Sequence, residues 1–101
     1  MAVGDGFVGT ASLANDATVN IRTASGVEAR LHYVSHVGAG ELYITDGTNT
    51  VLLQSTATGN VWHGGAYTLT NGQYAYYKNK SGDTQEVCWS GVYTVVSPYG
   101  Q

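Results

Sequence analysis

The sequence predicts an all-β domain, an antiparallel sandwich or small barrel of seven or eight short strands. Three observations predict it. Period-two alternation of apolar and polar residues recurs along the chain, no segment carries a helical period of useful length, and turn residues punctuate the alternating runs at short intervals. A parallel βαβ arrangement would need helical crossovers, and the sequence offers none.

Residues 18–23 alternate Val19 and Ile21 with Asn20 and Arg22. Ala24-Ser25-Gly26 then turns the chain into its clearest strand, 27–37. There Val27, Ala29, Leu31, Tyr33 and Val37 share one face, and Glu28, Arg30, His32 and His36 share the other, which Val34 interrupts. Over 41–45, Leu42 and Ile44 face inward. Asp46-Gly47-Thr48-Asn49 reads as a hairpin turn, because Gly and Asn accept the positive φ that such turns need, and 50–55 returns as a strand. Residues 56–65 carry no strand pattern and form the longest loop, bearing Trp62 and His63. A short strand at 66–70, the Asn71-Gly72 turn, a tyrosine-rich strand at 73–79 and a turn at 79–83 follow. Residues 85–90 and 92–96 are two strands, or one bent at Gly91, since a glycine within a strand marks a bulge or bend. Pro98 ends the last of them. Residues 1–17 are rich in Gly and Ala, with Val3, Phe7, Val8 and Leu13 as sizeable apolar groups, and are expected as an extended N-terminal arm on a sandwich domain of 18–101.

The 101 residues fit one domain with a thin core, which partner surfaces are expected to supplement. Charged residues are 11% of the chain, against about 25% in an average soluble protein. Polarity comes instead from 12 Thr, 7 Ser, 6 Asn and 4 Gln. Four Lys and Arg against seven Asp and Glu leave a net charge of −3, so no phosphate-neutralising patch for nucleic acid is expected. One Cys rules out an internal disulfide framework and a multi-cysteine metal site. No run approaches the length of apolar sequence that spans a membrane. The start, MAVGDGFVG, lacks a basic region followed by an apolar stretch, so no secretory signal is expected.

No catalytic, metal or cofactor site is expected. His32 and His36 have the spacing of a helical metal pair, but on a strand four residues separate them by about 13 Å, and both are expected to face solvent. His63 has no Cys, Asp or Glu beside it. Cys88 lies opposite in phase to Val87 and Trp89, without a base or basic neighbour that would activate a thiol, and is expected as a small buried or half-buried residue. Asp5, Asp46 and Asp83 sit in Gly-containing turns, where carboxylates cap the backbone. In 73–79, Tyr74 and Tyr76 share one face and Tyr77 takes the other. Tyr and Trp suit interfaces because they join large apolar area to a polar handle. Trp62, Tyr77, Tyr93 and Tyr99 are the aromatics expected to be exposed.

From Glu41 to Val96 the order Glu-Leu-Tyr-Ile-Thr-Asp-Gly-Thr, Thr58-Gly59-Asn60-Val61-Trp62, Leu69-Thr70-Asn71-Gly72-Gln73-Tyr74, Lys78-Asn79-Lys80-Ser81-Gly82 and Trp89-Ser90-Gly91-Val92 resembles small jelly-roll modules of tailed-phage virion proteins, capsid cement or decoration proteins and fibre domains. More distantly it is similar to carbohydrate-binding jelly rolls, although the sequence lacks a clear acidic calcium cluster and has one loop Trp. The resemblance implies a jelly-roll-like sandwich and a non-enzymatic virion protein, assembled in the host cytoplasm and most simply a homotrimer. Its partners would be the major capsid protein or other virion proteins. Met1, Val3, Phe7, Trp62, Tyr77 and Tyr99 are the candidate interface residues. The alternative it implies is a carbohydrate- or receptor-binding module with a glycan partner, for which Trp62 and Tyr67 are the candidate residues. Low charge suits close packing, since few ions must be desolvated.

Overall fold

The computed structural model of the chain describes residues 2–58 and 60–96, with the side chains of all but 60–66. Eight strands form: β1 (Gly6–Leu13), β2 (Thr18–Ile21), β3 (Val27–His36), β4 (Gly40–Thr45), β5 (Thr50–Thr56), β6 (Asn60–Leu69), β7 (Tyr74–Asn79) and β8 (Gln85–Val96). They make two four-stranded antiparallel sheets, ordered β1-β8-β3-β6 and β2-β7-β4-β5. This order is the double Greek key of a jelly roll, in which consecutive strands mostly alternate between sheets. The expected sandwich is therefore the observed one.

The core lies between the sheets. Phe7, Leu13, Ile21, Ala29, Leu31, Val34, Leu42, Leu69, Ala75, Tyr77 and Val87 form one cluster. Each larger side chain among them contributes about 1.5–3 kcal/mol by leaving water. Two glycines are fixed by this packing. A Cβ at Gly9 would overlap the indole of Trp89, and one at Gly40 would overlap the phenol of Tyr77. The turns follow their residues. Asp46 Oδ1 accepts from the Thr48 and Asn49 amides at 2.9 and 2.7 Å, and Gly47 takes φ +91°. These amides hold the Asp46 carboxyl below its usual pKa. Thr70 and Gln73 close the Asn71-Gly72 turn, with the Thr70 amide donating to the Gln73 carbonyl at 2.7 Å.

Two expectations are corrected and a third is narrowed. Residues 6–13, read as part of an arm, are the edge strand β1, paired along its whole length with β8. Their alternation is masked because Gly9 stands where a core side chain would, making room for Trp89. Residues 60–69, mostly read as loop, are β6, whose pairing with β3 is irregular between Tyr67 and His63. The segment 85–96, left open as two strands or one, is one strand, and at Gly91 the Arg30 carbonyl comes so close that a Cβ would overlap it.

The third correction is the most consequential. On β3, Leu31 pairs with Gly91 and Tyr33 with Ser90, so His32 is an extra residue. Such a bulge inverts the phase of everything after it. Val34 and His36 therefore point into the core, while Tyr33, Ser35 and Val37 point out. His36, expected in solvent, is buried: its Nδ1–H donates to the Gly38 carbonyl at 2.7 Å and its ring lies 5.3 Å from that of Tyr77. Burial lowers its pKa, against the opposing pull of the Gly38 bond.

Candidate interaction surfaces

One end of the sandwich is closed by a buried polar clasp. Asn79, at the end of β7, donates through Nδ2 to the carbonyls of Leu13 at 2.8 Å and Asp83 at 2.6 Å. Its Oδ1 accepts from the Ser81 amide at 2.9 Å and from Gln85 Nε2 at 2.6 Å. Gln85 also donates to the Ala39 carbonyl at 2.8 Å and accepts from the amides of Val37 and Gly38 at 3.2 and 2.8 Å. Two amide side chains thus tie both sheets to the 37–39 connection and satisfy backbone groups that would otherwise be buried without partners. Beside it Lys80 and Asp16 form an exposed ion pair at 3.0 Å, which raises the pKa of the lysine and lowers that of the aspartate.

The outer face of β2-β7-β4-β5 carries tyrosines and charges that engage one another. Register sets Tyr76 between Asn20 and Tyr43. The Tyr43 and Tyr76 rings stack at 4.8 Å with 18° between planes. Tyr43 donates its hydroxyl to Glu41 Oε1 at 2.8 Å, and that bond raises the pKa of the phenol. Arg22 lies 4.3 Å over the Tyr74 ring and donates through Nε to the Asn71 carbonyl at 2.6 Å. At the edge, β5 has no charged residue, and Val51 and Leu52 are 60% and 48% exposed.

The outer face of β1-β8-β3 is different in kind. Its cross-strand rows are Gly6-Val92-Arg30, Val8-Ser90-Tyr33 and Thr10-Cys88-Ser35, ending in Ser12-Glu86 with Val37 nearby. Val95 and Glu28 pair one step beyond the first row. Val8, Tyr33, Val37 and Val95 are 68%, 43%, 74% and 48% exposed. Cys88 is exposed near the centre, contrary to the expectation of burial, because β8 places it opposite in phase to Val87 and Trp89 as read, but on the solvent side. A shallow depression of about 470 Å³ opens along Thr10, Ser12, Ser35, Val37, Glu86 and Cys88.

The expected contact residues do not converge. Val3 is 64% exposed on the segment leading into β1, where the Gly4 amide donates to the Tyr93 carbonyl at 2.8 Å. Phe7 is buried, edge-on to Tyr93 at 5.5 Å. Tyr77 is wholly buried over Gly40, which corrects its expected exposure. Burial raises the pKa of its phenol. Tyr93 is half-buried against the core. Trp62 sits in β6 opposite Val34; its side chain, Met1 and Tyr99 lie outside the described residues. Among the described residues, the exposed large hydrophobics that the sequence pattern does not mark as contacts are Val8, Tyr33, Val37, Val51, Leu52 and Val95. Val34 on a polar face was the one signal that could have found the β3 bulge. Among the described residues no three His, Cys, Asp or Glu side chains gather as a metal site would require.

No family model matches the sequence, and no curated protein matches it. Among solved structures, the chain is similar to a pentameric capsid protein isolated from metagenomic phage sequences, at 15% identity and a TM-score of 0.43 over 89% of this chain and 68% of that one.

Proposed function

We propose that the protein is a non-enzymatic structural subunit of a phage virion, a capsid cement or decoration protein that stabilises the shell through its N-terminal segment and rim. The observation that carries this reading is the surface itself. Apolar side chains stand exposed at Val3, Val8, Val37, Val51, Leu52 and Val95 on a chain that is 11% charged. Apolar groups rimmed by neutral hydroxyls bind protein surfaces by shape, at little cost in desolvated ions. The uncharged edge strand β5 suits a rim contact, because among the described residues its outer backbone groups have no partner strand within the sheet. Val3 suits a contact from the N-terminal segment. The turn resemblance to phage virion modules points the same way. The partner is the major capsid protein or another virion protein, and the site of action is the assembled particle.

Mass spectrometry of purified particles from the source tests this directly. The chain is expected as a stoichiometric component, and its absence overturns the proposal. Val3→Asp is expected to lower occupancy on the shell while leaving the β fold intact; unchanged occupancy removes the N-terminal segment from the contact. Binding of a soluble glycan by the free protein, lost in Trp62→Ala, would favour a receptor-reading module instead.

A further inference from the structure

We propose that the outer face of β1-β8-β3 is a two-fold interface with a second copy of this chain, the two faces packed with their strands reversed. The first ground is chemical. Within the panel from Gly6 to Ser12 and its partners on β8 and β3, Arg30 and Glu86 are the charged residues, and the rest are Val, Tyr, Cys, Gly, Ser and Thr. A copy with net charge −3 repels another copy, so self-association needs a face whose few charges can pair with the partner's.

The second ground is the placement of those two charges. Arg30 pairs with Val92, and Glu86 lies six positions away along β8, about 20 Å at strand rise. They therefore stand at opposite ends of the panel, about equally far from a midpoint between Cys88 and Ser90. A two-fold axis through that midpoint and across the strands brings each Arg30 toward the partner's Glu86, twice per dimer. The parallel alternative would set like against like. Glu28 lies one pleat outside Arg30, at the rim, where Thr94 donates to it at 3.2 Å.

The third ground is area. Three strands about 4.8 Å apart, each eight residues long at about 3.3 Å per residue, make a panel of roughly 380 Å² in projection. Two such panels closed on each other bury on the order of 1,000 Å² of corrugated surface, the lower end for a specific contact. A contact of this size predicts a dissociable dimer. The inference does not rest on shell attachment, and it puts a two-fold contact in place of the trimer that the resemblance implies.

Sedimentation equilibrium across micromolar to millimolar protein tests it. The expected result is a monomer–dimer equilibrium. Val8→Asp and Thr10→Arg, both at exposed positions, should return the monomer with unchanged circular dichroism; having two such variants covers the failure of either to fold. Arg30→Glu and Glu86→Arg should each weaken the dimer about five- to tenfold, and the double exchange should restore it. A monomer throughout the range overturns the proposal. So does a dimer or trimer insensitive to Val8→Asp and Thr10→Arg, and so do single exchanges that the double exchange fails to rescue.

Discussion

The two sheets present opposite answers to the same problem, what to do with a face the core does not use. On β2-β7-β4 the outward side chains bind each other: Tyr43 stacks on Tyr76, its hydroxyl is taken by Glu41, and Arg22 covers Tyr74. On β1-β8-β3 the outward side chains, Arg30 and Glu86 at its two ends apart, are mostly short or apolar, and Val8, Val37 and Val95 meet water. A sheet needs one buried face for stability, and the second is free to be self-sufficient or adhesive. This molecule has one of each, so stability and self-association are assigned to different faces. Substitutions on the tyrosine face should change stability, and substitutions on the neutral face should change association.

The clasp beneath both faces is where the largest effect is expected. Asn79→Ala removes four hydrogen bonds at a fully buried position and should cost about 3 kcal/mol, read as a fall in urea midpoint. A loss below about 1 kcal/mol would mean that the clasp does not hold the two sheets together. Gly91→Ala should cost about 2 kcal/mol or more, because the obstacle is the Arg30 carbonyl and backbone gives way poorly. Tyr76→Ala should cost about 1–2 kcal/mol through the lost stack. Val8→Thr should change stability by less than about 0.5 kcal/mol. Equal losses from Tyr76→Ala and Val8→Thr, measured below the association range, would erase the contrast between the faces.

His36 sharpens the contrast by pH. Its folded pKa is lowered by burial, so below about 6.5 the unfolded chain takes up a proton that the folded chain resists. The stability that neutral His36 supports is full above that pH and is lost as pH falls through the mildly acid range. The urea midpoint should drop between pH 7.5 and 5.5, and His36→Gln should flatten the slope. An equally steep slope in the variant would assign it to other groups.

Sequence periodicity carried the sandwich because alternation and turn chemistry act locally. Asp46-Gly47, Asn71-Gly72 and the alternation of 18–23 read as they fold. Parity was legible too: Tyr77 does oppose Tyr74 and Tyr76. Which parity is inward was not, because that depends on what the other sheet offers, here the space above Gly40. Strand β1 was hidden for the same reason, since Gly9 is explained only by Trp89 across the ladder. The bulge at His32 moved His36 inward and Tyr33 outward, so the neutral face could not be assembled from an unbroken alternation.

Cys88, the single thiol, lies near the centre of the neutral face and reports on it directly. Its alkylation rate, measured from dilute to concentrated protein, tests whether this face is the one that becomes covered. The rate should fall at least tenfold as concentration rises and stay constant in Val8→Asp. A rate independent of concentration in the wild-type protein would contradict the assignment.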